Sequence, residues 1–332
     1  MTENEQKAEW YNTKKLEKYA PDASMYFIVG ARRIGKTLHF QKKAFDLWYE
    51  KGLQTMWLRN KKVELSDPSF YGDFLNAPKL FGWCSPSCYA KQEGVYDQDN
   101  NQIIKFQSIS TFGNRRGNMS ADVGLMVFDE FMPEDRRYPK RAHIGLLSLT
   151  KTILSGREDA KCYCLSNFVS SANPYWVGFG IYPNREKDVT YFRNKGIAIE
   201  VCRGYRSAIE QDNKWTRVYK AGGYQDYASE QEDSLFELVV PTPKGGKEHG
   251  IYILSGGKTY GATIKDGLLH FHPAKPLTPN VYTASLQETS ADVALIPRFY
   301  RRDLKLWSEA NILRFDSPNT MFAILSIIYD AV

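Results

Sequence analysis

The 332-residue sequence lacks the features that mark membrane, secreted and zinc-cluster proteins. It has no apolar run of about 18 residues, the length at which a membrane-spanning helix is suspected. Residues 1–7 are charged and do not have the pattern of a signal peptide. The five cysteines are odd in number and have no histidines at zinc-ligand spacing, which predicts reduced thiols. We therefore expect a folded cytosolic protein with no membrane segment.

The charge balance excludes little. The formal net charge is +6, an excess that suits a polyanionic partner but is also common in proteins that bind none. The length is sufficient for two compact domains, each with its own core. Function therefore has to be inferred from motifs rather than from composition.

The N-terminal half alternates β and helical patterns. Residues 25–29 form a short apolar run rich in β-formers, followed at once by a glycine-bounded loop and an amphipathic helix. A second strand is predicted at 55–59, so these two strands and their crossover helix make a βαβ unit that favours a parallel sheet. Further strands are predicted at 103–109, 124–128 and 161–165, and a helix at 142–155. These patterns predict an α/β fold.

The sequence changes character past Gly204. Residues 205–233 are polar and weakly periodic, which indicates a linker or small linking subdomain. Residues 234–332 combine short alternating runs with later helical patterns, which predicts antiparallel hairpins in a smaller α+β domain. The predicted strands there are 236–240, 251–254, 260–264 and 268–271, and helices are predicted near 304–312 and 321–329. We predict domains at 1–204 and 234–332, separated by this linker.

A complete phosphate-binding loop, G-x-x-x-x-G-K-[ST], lies between the first predicted strand and its helix. Its glycines let the backbone curl so that N–H groups and the helix N-terminus face the phosphates. Lys36 would bridge the β- and γ-phosphates, and the Thr37 hydroxyl would bind Mg²⁺. The predicted cofactor-binding residues are Gly30, Ala31, Arg32, Arg33, Ile34, Gly35, Lys36 and Thr37. The loop predicts that residues 1–204 form a P-loop domain that binds ATP and Mg²⁺.

Two carboxylates end the apolar strand predicted at 124–128. Asp129 would hold Mg²⁺, and Glu130 would orient and activate the attacking water. This second acid favours ATP hydrolysis over phosphoryl transfer to another substrate. Asn167 follows the strand predicted at 161–165 and is predicted to sense the γ-phosphate. A plain turn is the alternative there, because Ser and Asn favour turns.

Basic residues near predicted strand ends complete the candidates. Arg157 follows a predicted helix, from which it could reach the nucleotide of a neighbouring subunit. An arginine that reaches a neighbouring subunit's nucleotide in this way, called an arginine finger, accelerates hydrolysis by about 10³- to 10⁵-fold. Basic loops are candidates for DNA contact, although a solvated loop explains any one of them. The DNA-contact candidates are Arg59, Lys61, Lys62, Arg115, Arg116, Arg136 and Arg137.

Taken in order, these motifs resemble the DNA-packaging ATPases of phi29-like bacteriophages over nearly the whole chain. The matching segments in the first domain are Trp10-Tyr11-Asn12, Gly30 to Thr37 with Arg32, Phe128-Asp129-Glu130-Phe131, Cys162 to Asn167, and Asn173-Pro174-Tyr175. Those in the second domain are Asn280-Val281-Tyr282-Thr283 and Leu313-Arg314-Phe315-Asp316. Both predicted domains therefore share the resemblance.

The resemblance implies a homopentameric ring that acts at the portal of a viral procapsid in the host cytoplasm and pumps double-stranded DNA. A packaging RNA is a further implied partner. It also implies the additional-strand ring ATPase and terminase type for the first domain, and a vestigial RNase H-like nuclease for the second. By this resemblance, Arg157 matches the family's trans-acting arginine finger, and Lys62 matches a lysine that contacts DNA. The position of a second DNA-contacting lysine of the family holds an acidic residue in this sequence. Arg136 or Arg137 would therefore make that contact.

Several alternatives remain open from the sequence. A large terminase with an active nuclease is the nearest, but the strands predicted at 251–254 and 260–264 contain no Asp or Glu. A two-metal nuclease needs several convergent carboxylates. An ATPase that clamps DNA without pumping it, a plasmid-moving ATPase and a small-molecule kinase share the phosphate loop. GTP is disfavoured because the nearest match to the Asn-Lys-x-Asp guanine signature ends in Val63.

Overall fold

The computed structural model describes residues 10–110, 122–205 and 232–329, which form two compact units. The first unit contains the described part of Met1–Pro139 together with Gly145–Val169 and Pro183–Glu232. The second contains Lys140–Ile144, Ser170–Tyr182 and the described part of Asp233–Val332. The boundary predicted at residue 204 differs from this division, because it assigns Lys140–Ile144 and Ser170–Tyr182 to the first domain. Most of the predicted linker, 205–233, lies outside the described residues.

The described strands of the first unit form a nine-stranded sheet. In chain order they are β1 (Met25–Gly30), β2 (Gln54–Arg59), β3 (Tyr89–Lys91), β4 (Gly94–Tyr96), β5 (Gln102–Ser108), β6 (Val123–Asp129), β7 (Lys161–Ser166), β8 (Val189–Phe192) and β9 (Ile197–Cys202). Their order across the sheet is β3-β4-β5-β2-β6-β7-β1-β9-β8. The neighbours from β5 to β9 in this order are parallel, whereas β3, β4 and β8 join antiparallel at the edges. The predicted α/β fold with a parallel sheet is confirmed.

Burial explains why the central strands were readable from the sequence. Parallel strands covered on both faces read as continuous apolar runs, and β1 is buried along its whole length. All five strands predicted in this part of the chain are confirmed within two residues at each end. However, β1 and β2 are not neighbours, because β6 and β7 lie between them. β9 was not predicted, since buried Glu200 interrupts its apolar run.

Six of the described helices precede or connect these strands along the chain. They are α1 (Lys14–Tyr19), α2 (Lys36–Lys51), α3 (Lys62–Ser66), α4 (Pro68–Asp73), α5 (Asn76–Leu80) and α6 (Ala142–Leu154). Helix α2 buries Phe40 and Phe45 in the same core as Trp57 of β2 and Tyr163 of β7. The rings of Phe40 and Tyr163 have centroids 4.6 Å apart. This packing fixes the axis of α2, and therefore its N-terminus, against the sheet.

The second unit has a mixed sheet. Its strands are β10 (Lys247–Glu248), β11 (Tyr252–Ser255), β12 (Lys258–Lys265), β13 (Leu268–Pro273), β14 (Val281–Thr283), β15 (Ala294–Leu295) and β16 (Leu313–Phe315), and its helices are α7 (Pro174–Phe179), α8 (Arg298–Glu309) and α9 (Pro318–Tyr329). The order is β15-β14-β11-β12-β13-β16, with β10 paired to β12. The predicted hairpins are confirmed for β11–β12 and β12–β13, which are antiparallel. β14 pairs in parallel with β11, and β16 pairs in parallel with β13.

The strand predicted at 236–240 is wrong. A 3₁₀ turn covers Glu232–Leu235, and only an isolated bridge joins Val239 to Phe315. Phe236 and Leu238 are both buried, which gives the segment its strand-like alternation. The backbone instead turns, with Phe236 N donating to Asp233 O at 2.9 Å. Of the helices in the described ranges, none is both long and apolar enough to cross a bilayer.

Candidate active site

The carboxyl ends of four adjacent strands bring the predicted site residues to one edge of the first sheet. These strands end at Gly30 (β1), Ser166 (β7), Asp129 (β6) and Arg59 (β2). The parallel register sets Val29 opposite Ser166, and Asp129 opposite Leu165. Side chains that follow these strands therefore meet, although they lie far apart in the sequence. Open α/β sheets commonly bind ligands at this edge.

The phosphate loop has the backbone geometry that its glycines predict. Gly35 has φ 89° and Arg33 has φ 60°, both in the left-handed region, and α2 begins at the next residue, Lys36. A Cβ at Gly30 would lie 2.6 Å from the Cβ of Cys202, so only glycine fits where β1 passes β9. The loop thus curls in front of the N-terminus of a 16-residue helix. That N-terminus carries unsatisfied N–H groups and a partial positive charge, which suit a phosphate.

Lys36 is buried inside this loop. Its Nζ donates to the carbonyl oxygens of Gly30 at 2.9 Å and Ala31 at 2.7 Å, and to Asn167 Oδ1 at 3.3 Å. Asn167 follows β7, so the residue predicted to be a sensor does contact Lys36 of the phosphate loop. A γ-phosphate on Lys36 would lie within reach of this amide.

Thr37 and Asp129 meet as a candidate pair of metal ligands. The Thr37 hydroxyl donates to Asp129 Oδ1 at 3.2 Å. Burial raises the pKa of Asp129, and the nearby Arg59 guanidinium acts in the opposite direction. A hydroxyl and a carboxylate are hard oxygen donors of the kind that Mg²⁺ prefers. The residues present therefore fit a magnesium ion.

Arg59 bridges the two acids that follow β6. Its Nη2 lies 3.5 Å from Asp129 Oδ2, and its Nη1 forms an ion pair with Glu130 Oε2. Its side chain is only 13% exposed. Burial opposes the charged form, but the two carboxylates raise the pKa of Arg59 above its usual value. The sequence predicted DNA contact for Arg59, whereas the structure places its guanidinium against the carboxylates.

Glu130 sits on a strained turn. Its φ of 57° is left-handed, a conformation that costs a non-glycine residue about 1–3 kcal/mol. Asn60 holds this turn, because its Nδ2 donates to Glu130 O at 2.8 Å and to Phe131 O at 3.3 Å. Phe131 N donates to Leu165 O at 3.0 Å, which ties the turn to β7. The main chain of Glu130 is thus fixed, while its side chain is half exposed.

A cleft of about 310 Å³ joins these groups. Its lining residues are Trp10, Arg33, Gly35, Lys36, Thr37, Leu38, Asp129, Glu130, Ser166 and Asn167. A loop that can bind phosphate, a candidate metal pair and the half-exposed carboxylate of Glu130 thus face one space. That arrangement can hold a nucleoside triphosphate and position a water molecule for attack on it.

Comparison with known proteins assigns the chain to a family. The model of the Podovirus DNA encapsidation protein (Gp16) family matches residues 5–322. This chain belongs to that family.

Relatives of this encapsidation protein are similar along nearly their whole length. The DNA packaging protein of Bacillus phage phi29 is 25% identical over an alignment of 341 residues. The alignment covers 94% of this chain and 94% of that protein. A chain of the bacteriophage Phi-29 viral genome packaging motor assembly is 25% identical with a TM-score of 0.65, covering 97% of this chain and 98% of that one. The N-terminal domain of the DNA packaging ATPase from bacteriophage phi29 is 27% identical with a TM-score of 0.52, covering 61% of this chain and 99% of that one.

Arg157 of the encapsidation protein lies outside the cleft of its own chain. It follows α6 in a turn where its N–H donates to Leu154 O at 3.0 Å. Its Nε lies 3.4 Å from Asp159 Oδ1, and its side chain is 29% exposed. The residues that line the cleft do not include Arg157. Its placement at a partly open turn is compatible with a role toward a second subunit.

The basic loops differ in how far they are already paired. Lys61 Nζ lies 2.5 Å from Asp135 Oδ2, whereas Lys62 begins α3 with an exposed side chain. Arg136 has φ 50° and Arg137 is exposed, in the same turn as Asp135. Arg32 of the phosphate loop forms an ion pair with Glu134. The remaining DNA-contact candidates, Arg115 and Arg116, lie outside the described residues.

Sequence reasoning missed two residues beside the encapsidation protein's cleft. Trp10 lines it, and Glu200 of β9 is fully buried behind the loop. Tyr11 OH donates to Glu200 Oε2 at 2.9 Å. Burial raises the pKa of Glu200 to about 7, although the Tyr11 bond and Lys15 oppose this shift. A single acid inside the apolar run 197–202 was the signal that could have revealed Glu200.

Proposed function

We propose that this chain is the ATP-hydrolysing subunit of a ring motor that drives double-stranded viral DNA through a portal into a procapsid. The observation that carries the proposal is the single cleft in which Lys36 and Thr37 of the phosphate loop face Asp129 and Glu130. The chain's membership of the encapsidation family gives this cleft its biological setting. The phi29 relatives are a DNA packaging protein and a DNA packaging ATPase, which supports the same activity here.

The cleft residues have distinct roles in this proposal. Lys36 leaves its carbonyl partners to bind the β- and γ-phosphates, and the first N–H groups of α2 complete the cradle. Thr37 and Asp129 hold Mg²⁺, which would neutralise phosphate charge when bound. Glu130 accepts the proton of the attacking water, and Asn167 contacts the γ-phosphate through its amide. Arg59 pairs with both carboxylates and orients Glu130.

Arg59 also sets a condition for catalysis. A general base must be free to accept a proton in the transition state. Glu130 must therefore leave its ion pair with Arg59 before it accepts that proton. Because Arg59 is mostly buried and bridges both carboxylates of the cleft, we assign DNA contact to Lys62, Lys61, Arg136 and Arg137 rather than to Arg59. Contacts to phosphates alone make binding weakly sequence-dependent and steeply salt-dependent.

The strand orders support the finer fold assignments. In the first sheet β7 lies between β1, which carries the phosphate loop, and β6, which carries the acids, as expected for an additional-strand ATPase. In the second, β13-β12-β11 form an antiparallel meander, and β14 and β15 continue in parallel beyond β11. This strand order supports an RNase H-like fold for the second unit. β11 and β12 carry no Asp or Glu, so we propose a vestigial nuclease.

The placement of Arg157 at a partly exposed turn outside the cleft supports the proposed assembly. We propose a homopentameric ring at the portal in the host cytoplasm, in which Arg157 of one subunit completes the site of the next. A packaging RNA on the portal is a further proposed partner. Hydrolysis would then depend on ring closure, because an isolated chain lacks the arginine that a neighbour supplies.

The test is ATP hydrolysis by the native chain and by Glu130→Gln, with and without double-stranded DNA and procapsids. We expect stimulation by both, loss in the variant, and intact DNA afterwards. Glu309→Gln, an exposed acid in the second unit, is the matched control and should hydrolyse normally. A hydrolysis rate that does not change when DNA and procapsids are added would point to another class of ATPase. Efficient DNA cutting would point to a terminase with an active nuclease.

A further inference from the structure

A second cleft adjoins the phosphate site. Its volume is about 440 Å³, and Trp10, Gly35 and Leu38 line both it and the first cleft. Its other lining residues are Tyr11, His39, Lys42, Phe81 and Trp83. Each cleft lies within the volume range of about 300–1,000 Å³ that is usual for small-molecule sites. A ligand held by its phosphates in the first cleft could therefore extend into the second.

The segment before α1 is fixed against the phosphate loop. Tyr11 N donates to Ile34 O at 2.8 Å, and Tyr11 OH is held by Glu200. A Cβ at Gly35 would lie 2.9 Å from Cε3 of Trp10, so the indole packs directly on the loop. Trp10 consequently stands at the boundary between the two clefts.

The second cleft offers flat aromatic surface that the protein core does not use. Trp10 is 47% exposed and Phe81 is 49% exposed. The Trp10 and Phe81 rings meet edge to face with centroids 6.3 Å apart, and Phe81 stacks on Trp83 at 4.9 Å. Exposed aromatic rings beside a phosphate site suit the π-face of a nucleobase, whichever base it is.

One polar side chain that lines the second cleft, His39, has a ring nitrogen without a hydrogen-bond partner. Tyr11 is bonded to Glu200, and Lys42 Nζ lies 2.7 Å from Asp46 Oδ2. His39 Nε2 is buried without a hydrogen-bond partner. A ring nitrogen of an imidazole can donate to or accept from the edge of a base.

We propose that the aromatic cleft formed by Trp10, Phe81, Trp83 and His39 binds the base of the nucleotide, with Trp10 as the stacking surface. The proposal rests on the proposed function, because it takes the phosphates to lie on Lys36 and Thr37. It adds a contact that distinguishes a nucleoside triphosphate from inorganic triphosphate. Neither the phosphate loop nor the two acids makes that distinction.

The test is calorimetric titration of the full chain with ATP and with inorganic tripolyphosphate, both with Mg²⁺. In Trp10→Ala we expect ATP to bind about 5- to 100-fold more weakly, the usual range for loss of one base stack. Tripolyphosphate should bind as it does to the native chain. Trp10→Phe keeps a ring and should recover most of the ATP affinity. Tyr19→Ala, which removes an exposed ring outside the cleft, is the control and should change neither affinity.

Each result separates the base contact from the phosphate site. Equal losses for ATP and tripolyphosphate in Trp10→Ala would show that Trp10 acts only by supporting the loop, and would overturn the proposal. Unchanged ATP binding in Trp10→Ala would overturn it as well. Both results would leave ATP hydrolysis intact as the function. A native chain that binds neither ligand would overturn the function together with this proposal.

Discussion

The two units treat charged side chains differently. In the first unit Lys36, Asp129 and Glu200 are all buried. In the described part of the second unit no Asp, Glu, Lys or Arg is buried, and its buried polar groups are His143, Ser170, Ser171, Asn173, Thr283 and Thr320. Burying a charge costs several kcal/mol unless partners compensate, so folding alone gives little reason to keep three such groups. The contrast indicates that the chemistry belongs to the first unit.

Acids of the second unit serve its local structure instead. Glu288 accepts from Thr283 Oγ1 at 2.8 Å and from Gly257 N at 3.0 Å. Asp316 accepts from Thr320 Oγ1 at 2.5 Å at the start of α9. These bonds hold turns and a helix end.

The largest expected effect is on hydrolysis by Arg157→Ala in the assembled ring. Loss of a trans-acting arginine should slow hydrolysis by about 10³- to 10⁵-fold while ATP binding is largely kept. Arg302→Ala, an exposed arginine of the second unit, should hydrolyse normally. Normal hydrolysis by Arg157→Ala in the ring would contradict the assignment of Arg157 as the trans-acting arginine.

Arg59→Ala should lower the free energy of unfolding by about 3 kcal/mol, because it leaves buried Asp129 without its cationic partner. Arg314 of the second unit donates through Nη1 to the carbonyl oxygens of Asn311 and Leu313, each at 2.8 Å. Arg314→Ala strands no carboxylate and should cost about 1–2 kcal/mol. Chemical denaturation measures both variants. Equal costs would mean that the Arg59 bridge is not stabilising.

Glu200 predicts a pH-dependent stability. Its folded-state pKa of about 7 is above its ordinary value of 4.5, so the folded chain holds this proton more tightly than the unfolded chain. Its contribution to the free energy of unfolding should fall as pH rises from 4.5 to 7, by up to about 3 kcal/mol. Denaturation at pH 5 and pH 8 should show this loss in the native chain but not in Glu200→Gln. Glu288→Gln is the second-unit control and should keep the native pH dependence; a loss there would assign the effect elsewhere.

The smallest expected effect is on DNA binding by Asp135→Asn. This change frees Lys61 from its ion pair, so DNA should bind less than about tenfold more tightly, with roughly one more counterion released in a salt titration. Glu309→Gln breaks the ion pair of Lys305 in the second unit and removes the same charge. If both variants gain equally, net charge rather than Lys61 is responsible.

The sequence predicted the part of the site that depends on local pattern. The phosphate loop and the Asp129–Glu130 pair each follow an apolar strand, and parallel strand ends meet at one edge. The paired state of Arg59 was not predictable, because it depends on β2 lying beside β6 rather than beside β1. Tyr11 and Glu200 are 189 residues apart, so nothing local signals their bond.

The fold was less predictable wherever strands are short or an apolar run does not form a strand. β14, β15 and β16 have two or three residues each and show no readable alternation. Phe236 and Leu238 alternate as a strand would but pack in a turn. Burial by tertiary contacts outweighs local preference in such segments.

The most direct test of the central claim is the protection of DNA from added nuclease in a packaging reaction with procapsids and ATP. We predict that the native chain protects full-length DNA, whereas Glu130→Gln, which still binds ATP, protects none. Normal ATP hydrolysis by the native chain with all DNA left accessible to the nuclease would contradict a pump and indicate an ATPase that only clamps DNA.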